Sequence, residues 1–191
     1  DLKPKLDLAN KYNERNQILG KNTTPEAWFK PSAERGNPNA QFSLALIYDL
    51  GEGVPEDDVA AARWYTEAAE QGHIEARYNL GLAYDRGEGV SENNETAVSW
   101  YLLAAEQGDM KSRFNLGVKY SLGSGVAKND ETAFVWYSLA AEQGMAQAQY
   151  NLGHAYDIGL GVSEDQSLAV KWYRRAAEQG DADARSNLGY M

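Results

Sequence analysis

Residues able to do chemistry are few in this 191-residue chain, and their spacing does not bring them together. The two histidines, His73 and His154, fall in different registers of the sequence, so no histidine pair at metal-ligand or acid–base spacing can be built. Cysteine is absent, which removes disulfides and thiolate metal sites. No Gly-x-Ser-x-Gly element presents a serine nucleophile. Gly-x-Gly-Val quartets begin at Gly51, Gly87, Gly123 and Gly159. A phosphate cradle needs a strand before it, a helix start after it and basic or hydroxyl neighbours. The neighbours at the first quartet are instead Glu52, Glu56, Asp57 and Asp58, so these quartets read as turns. Asp57, Asp58, Glu92 and Asp165 could offer oxygen ligands, but nothing here has the alternating-oxygen spacing of a calcium loop. An acidic start to the following helix, favoured by its dipole, accounts for them. The sequence therefore predicts no catalytic residue, no metal and no cofactor: not an enzyme.

Composition narrows the partner classes. The 18 Lys and Arg against 28 Asp and Glu give a formal net charge of −10, which repels phosphate backbones and anionic lipid heads, so nucleic acid is excluded as an expected partner. No stretch approaches the roughly 20 apolar residues that span a bilayer, so no membrane insertion is expected. The chain opens at Asp1 without an initiator Met or a charged-then-apolar leader, as expected if a signal peptide was removed or lies outside the sequence.

What organises the chain is repetition. The tetrad Ala-Glu-Gln-Gly ends at Gly72, Gly108, Gly144 and Gly180, in steps of 36 residues. Trp64-Tyr65, Trp100-Tyr101, Trp136-Tyr137 and Trp172-Tyr173 keep the same step, as do Leu80-Gly81, Leu116-Gly117, Leu152-Gly153 and Leu188-Gly189. A fixed period of this size dictates a stacked repeat architecture. The boundaries follow as a degenerate N-terminal capping repeat over 1–36, four full repeats over 37–72, 73–108, 109–144 and 145–180, and a partial repeat or cap over 181–191. The first segment aligns through Leu8, Tyr12, Trp28 and Gly36, yet lacks the Gly-x-Gly-Val turn. Its Pro31 predicts a kinked or shortened second helix.

Within a unit the apolar spacing is helical: Ala76, Leu80, Gly81 and Tyr84 share one side, and Ala97, Trp100, Tyr101, Ala104 and Ala105 form a second stripe. Glycines at Gly87 and Gly89, and again at Gly108, tolerate the positive φ at which a helix stops and the chain reverses. Two antiparallel helices per unit result. A lone pair cannot bury both stripes, so neighbours must stack, with Gly81, Ala104 and Ala105 admitting close backbones and Trp100 and Tyr101 filling the gaps.

The string from Ala76 to Gly108 resembles the Sel-one-like repeat family, a branch of the tetratricopeptide superfamily, whose pattern reads A-x-x-x-L-G-x-x-Y, G-x-G-V, then A-x-x-W-Y-x-x-A-A-E-Q-G. The resemblance is strong over 37–191 and weak over 1–36. It implies an all-α, right-handed α-solenoid of antiparallel helix-turn-helix repeats, and a role as adaptor for protein assemblies, signalling or host contact. It also favours a bacterial periplasmic or secreted location. Cysteine-rich relatives differ from this chain completely, so the penicillin-binding or lactamase activity attributed to that branch does not carry over.

By the same resemblance, the first helix of each unit lines a concave face. The stripe that fits is Phe42, Leu46 and Asp49; Tyr78, Leu82 and Asp85; Phe114, Val118 and Ser121; and Tyr150, His154 and Asp157. Its mixture of aromatic, aliphatic and acidic groups suits a protein or peptide partner with apolar anchors and a basic residue. The alternative is that the aromatics pack between adjacent units and only the later positions see solvent. The ladder Asn79, Asn115, Asn151 and Asn187 reads either as a clamp for a peptide backbone or as a bond to the adjacent helix, and the second is favoured. The function expected is a protein–protein interaction scaffold. A structural spacer in a larger exported envelope or host-contact protein is the competing expectation, because the array stops at Met191, eleven residues into a sixth unit.

Overall fold

The computed structural model describes residues 24–191, and all regular structure among them is helical. Ten helices follow in order: α1 (Pro25–Ala33), α2 (Pro38–Leu50), α3 (Asp58–Glu70), α4 (Ile74–Arg86), α5 (Asn94–Ala105), α6 (Met110–Leu122), α7 (Asp130–Glu142), α8 (Ala146–Ile158), α9 (Gln166–Glu178) and α10 (Ala182–Tyr190). The all-α repeat fold expected from the period is what forms. The part of the capping repeat over 1–23 lies outside the described residues. Helix α1 has nine residues against thirteen in α3; it starts at Pro25 behind the Thr24 cap and runs through Pro31 to Ala33, so Pro31 does not end it.

Each hairpin is punctuated at its ends by side chains and glycines rather than by propensity. Gly51, Gly87, Gly123 and Gly159 close α2, α4, α6 and α8 in the left-handed region. The next amide reaches back five residues, from Glu52 to Ile47 and from Leu160 to Ala155 at 3.1 and 2.9 Å, which satisfies carbonyls that the helix end leaves orphaned. The second helices start on Asp57, Asn93, Asn129 and Asp165, whose side chains accept from the amide three residues on. Three of these cap residues also donate their own amide backwards: Asp57 to the Tyr48 carbonyl, Asn129 to Tyr120 and Asp165 to Tyr156, each at 2.9 Å. In these three hairpins the turn is therefore hydrogen-bonded to both helices it joins.

Two units divide after Glu92. In the first, α1–α4, the core is built from Ala33, Leu44, Ala45, Ile47, Trp64, Tyr65, Ala68, Ala69 and Leu80, all under a tenth exposed. In the second, α5–α10, it is built from Tyr101, Leu116, Ala140, Ala141, Leu152, Trp172, Tyr173 and Ala176. The Leu-Gly pairs serve this packing. A Cβ on Gly117 would stand 2.5 Å from the Tyr137 ring, and one on Gly153 2.8 Å from the Tyr173 ring, so the missing side chain is the space the tyrosine fills.

Successive hairpins are joined by two further contacts. The second glycine of each turn sits on the opening of the previous second helix: a Cβ on Gly89 would lie 2.0 Å from the Asp58 carbonyl oxygen, on Gly125 2.3 Å from that of Asn94, and on Gly161 2.1 Å from that of Asp130. Then the fourth residue of each first helix reaches a carbonyl near the end of the helix before it. Gln41 donates to Ala33, Arg77 to Ala69, Arg113 to Ala105, Gln149 to Ala141 and Arg185 to Ala177, at 3.0–3.2 Å. The Gln of the Ala-Glu-Gln-Gly tetrad ties into the same chain, with Gln71 donating to Gln41 and Gln179 to Gln149, both at 2.7 Å.

The two kinds of positive-φ glycine should respond differently to alanine. Gly144 (φ 99°) has nothing within 4 Å of its would-be Cβ, whereas Gly125 (φ 74°) meets backbone. Gly144→Ala is expected to cost about 1–2 kcal/mol, from backbone strain alone, and Gly125→Ala more than about 3 kcal/mol in urea denaturation. Equal costs would remove the backbone contact from the account.

The cap of α4 predicts a pH dependence. His73 accepts from the Ala76 amide through Nδ1 at 3.3 Å and stacks on Phe42 with 4.4 Å between ring centres. Burial lowers its pKa from the ordinary 6.5, against the opposing pull of Glu75. As pH falls the unfolded chain binds the proton first, so this contribution is whole above about pH 6.5 and is lost below it until the folded-state histidine also titrates. His73→Asn, which keeps a capping oxygen like that of Asn37, should lose less thermal stability than the parent on acidification across that range. Identical losses in the two would contradict it.

Candidate functional site

The stripe expected to meet a partner lies along α2, α4, α6 and α8. All of its members, Phe42, Leu46, Asp49, Tyr78, Leu82, Asp85, Phe114, Val118, Ser121, Tyr150, His154 and Asp157, are half-buried: none is sealed in the core and none is fully open. The reason is its position beside the second-helix tyrosines. Phe42 tilts against Tyr65 at 6.0 Å between centroids, Phe114 against Tyr137 at 5.9 Å and Tyr150 against Tyr173 at 5.7 Å. These three aromatics thus pack against the tyrosine of their own hairpin, and Phe42 additionally against His73 of the next.

Two of the acidic members, Asp49 and Asp157, are tied to those tyrosines. Tyr65 donates its hydroxyl to Asp49 Oδ2 at 3.1 Å and Tyr173 to Asp157 Oδ2 at 3.3 Å, while Ser121 takes the same place beside Tyr137 at 3.3 Å. Burial, reinforced by the Asp49 charge, holds the Tyr65 phenol far above its ordinary range. Burial also pushes Tyr173 up to about 12, although its bond to Asn187 pulls the other way. These phenols stay protonated at any physiological pH and act as donors. The Asn ladder faces them from the following hairpin: Asn151 hydrogen-bonds Tyr137 and Asn187 hydrogen-bonds Tyr173. At these two positions the asparagine bonds the adjacent helix.

Two small cavities open along the stripe, one in each unit. The first, of about 90 Å³, is lined by Asp49, Asp58, Tyr65, Asn79, Leu82 and Arg86 among others. The second, of about 180 Å³, is lined by Ser121, Asp130, Phe134, Tyr137, Asn151, His154 and Leu160 with two alanines. Both fall below the roughly 300 Å³ at which sites for drug-sized ligands begin, so they suit a single side chain rather than a cofactor. Among the described residues no group of three or more His, Cys, Asp or Glu converges on one point. No described helix is long and apolar enough to cross a membrane.

Sequence spacing did not single out two features of this face. One is the row of Gln and Arg on the preceding helix's carbonyls, whose signal was the recurrence of a long donor side chain three residues before each Leu-Gly pair or its equivalent. The other is Lys119, buried at 7% exposure where neighbouring repeats have Ala83 and Ala155.

Comparison with known proteins fixes the family. Residues 38–73, 74–109, 111–145 and 146–181 each match the Sel1 repeat. No curated protein sequence matches the chain. Among solved structures it is similar to a protective antigen of uropathogenic Escherichia coli strains that displays an SLR fold. That protein is 42% identical, over 86% of this chain and 35% of the antigen, with a TM-score of 0.84. It is also similar to a Sel1 repeat protein from Oxalobacter formigenes, 35% identical over 86% of this chain and 65% of that one, at TM-score 0.77. Helicobacter pylori cysteine rich protein B shares the fold alone, at 23% identity and TM-score 0.56 over 70% of this chain and 96% of its own. The chain therefore spans about a third of the E. coli antigen and just under two thirds of the Oxalobacter protein. Four consecutive matches in a frame of capped, interlocked hairpins place this chain in the Sel1 repeat family.

Proposed function

We propose that this chain holds a partner protein or peptide along the first-helix stripe, the side expected to be concave in a tetratricopeptide-like array. Sel1 repeat proteins generally act as protein–protein interaction scaffolds and are generally not enzymes. The observation that carries the finer reading is the division of labour within the hairpins. Positions that recur unchanged, such as Leu80, Leu116 and Leu152, are sealed. Stripe positions vary, as Leu82, Val118 and His154 do at one register, and keep part of their surface in solvent. Packing constrains the first set alike in every repeat, whereas a non-periodic partner constrains the second differently in each.

The partner chemistry is narrower than the sequence alone implies. Asp49 and Asp157 each have an oxygen committed to a tyrosine hydroxyl, so apolar anchors at Leu46, Leu82 and Val118 carry more of the binding and the carboxylates add orientation. A second reading, a structural segment of a longer exported protein, is favoured by likeness to an E. coli protein described as a protective antigen. Fractionation of the source cell that left the whole protein in the cytoplasm would remove that support.

The scaffold reading is tested by immobilising the chain and capturing partners from the source cell. Leu82→Arg with Val118→Arg should reduce captured protein at least tenfold. A control pair on the exposed second-helix surface, Val59→Arg with Val135→Arg, should leave it unchanged. Equal capture by both pairs would reject the stripe as the binding face.

A further inference from the structure

The same register position is filled differently in successive hairpins, and the difference exposes a site. In the second unit Lys119 on α6 runs its side chain to the start of α5. There its Nζ donates to Asn94 Oδ1 at 2.5 Å and to Ser124 Oγ at 3.2 Å, and Ser124 Oγ donates to the same Asn94 oxygen at 2.9 Å. One repeat later the three positions are Ala155, Asp130 and Leu160. The lysine stem is gone, the hydroxyl is gone, and the amide oxygen has become a carboxylate. All three residues line the second unit's cavity of about 180 Å³. Asp130 Oδ1, the counterpart of the oxygen that takes the Lys119 ammonium, is buried without a hydrogen-bond partner.

A buried carboxylate oxygen left unpaired is costly, so its surroundings should favour a compensating donor. The chain's own nearby cation does not supply one. Lys128 approaches the other oxygen, Oδ2, at 3.5 Å, and its side chain is 60% exposed, a pairing of the kind worth about 0–1 kcal/mol. In the first unit's corresponding cavity, which contains Asp58, the chain provides a cation in the wall, Arg86. The matching residue at the Asp130 cavity is Ile158. Nor does the start of a helix forbid an ammonium here, since Lys119 occupies the equivalent place one repeat earlier. Part of the wall suits an alkyl stem under a charge: Ala133, Ala155 and Leu160 are apolar, and the Phe134 ring, absent from the first unit's cavity where Ala62 stands, adds a face for a cation, while Ser121, Tyr137, Asn151 and His154 make up the polar remainder.

The geometry points to the cavity between α6, α7 and α8 as a receptor for a primary alkylammonium group, bound on Asp130 in the position that Lys119 fills internally one repeat before. The group arrives either as the lysine side chain of a partner or as a free amine. The site is complete in this chain, so it does not depend on the scaffold reading, and the stripe substitutions that test that reading leave Asp130 and Ala155 in place.

Titration of the 15N-labelled chain with n-butylammonium, with Nα-acetyl-lysine N-methylamide and with n-pentanol as the neutral isostere tests it. Saturable shifts centred on Asp130, Ala155 and Leu160 are expected with both cations, at least tenfold weaker with the alcohol, and lost in Asp130→Ala. Lysine amide binding at least tenfold more tightly than butylammonium assigns the site to a partner's lysine; comparable binding assigns it to free amines. Ala155→Lys guards against a variant that fails to fold. It should reproduce the Lys119 arrangement, melt no lower than the parent and abolish the shifts. Absence of saturable shifts in the parent, equal shifts with pentanol, or undiminished binding in Ala155→Lys would overturn the inference.

Discussion

The second glycine of each inter-helix turn is pressed onto the first residue of an earlier helix, and the rest of the arrangement depends on that approach. Where Gly125 meets Asn94 and Gly161 meets Asp130, a single methyl group would overlap a backbone carbonyl. Backbone cannot rotate away as a side chain can, so the contact fixes how far one hairpin sits from the last. With that distance set, the tyrosine rings find the gaps left by Gly117 and Gly153, and the Gln and Arg donors fall within reach of carbonyls that the helix ends would otherwise leave unsatisfied.

A frame determined this tightly separates two kinds of position. Residues that meet the frame recur: Leu116 and Leu152, Tyr137 and Tyr173, the capping Asn129 and Asp165. Residues that do not are free to differ, and they collect on the first-helix stripe and around the cavities beside it. The Lys119 and Ala155 pair shows what such freedom permits. One repeat closes a cleft with its own ammonium, and the next leaves the same cleft with an unmatched carboxylate oxygen. Small changes in an otherwise repeated wall thus produce different local chemistry without disturbing the stack.

Much of this was legible before any coordinates. Helix positions, turns and stacking followed from a period that recurs in glycines and aromatics, because positive φ and close packing admit few residue types. The roles of the acidic stripe were less legible. Asp49 and Tyr65 are sixteen residues apart, a separation that means contact only once the hairpin has closed, and an exposed carboxylate and one holding a phenol look the same in sequence. Lys119 was harder still: a charged residue among alanines reads as a solvated face, and only the fold shows its stem buried with its ammonium on Asn94. Met145, which replaces a capping side chain with packing against the core, belongs to the same class.

Native-state hydrogen exchange in the second unit tests most directly whether the turns are part of the rigid frame. The amides of Asn129 and Asp165, which close the turns onto Tyr120 and Tyr156, should be protected to within about tenfold of the helix amides of Leu116 and Leu152, opening only when the hairpins separate. Exchange from those turns several orders of magnitude faster, with the helices still protected, would show them to be loose connections and contradict the account.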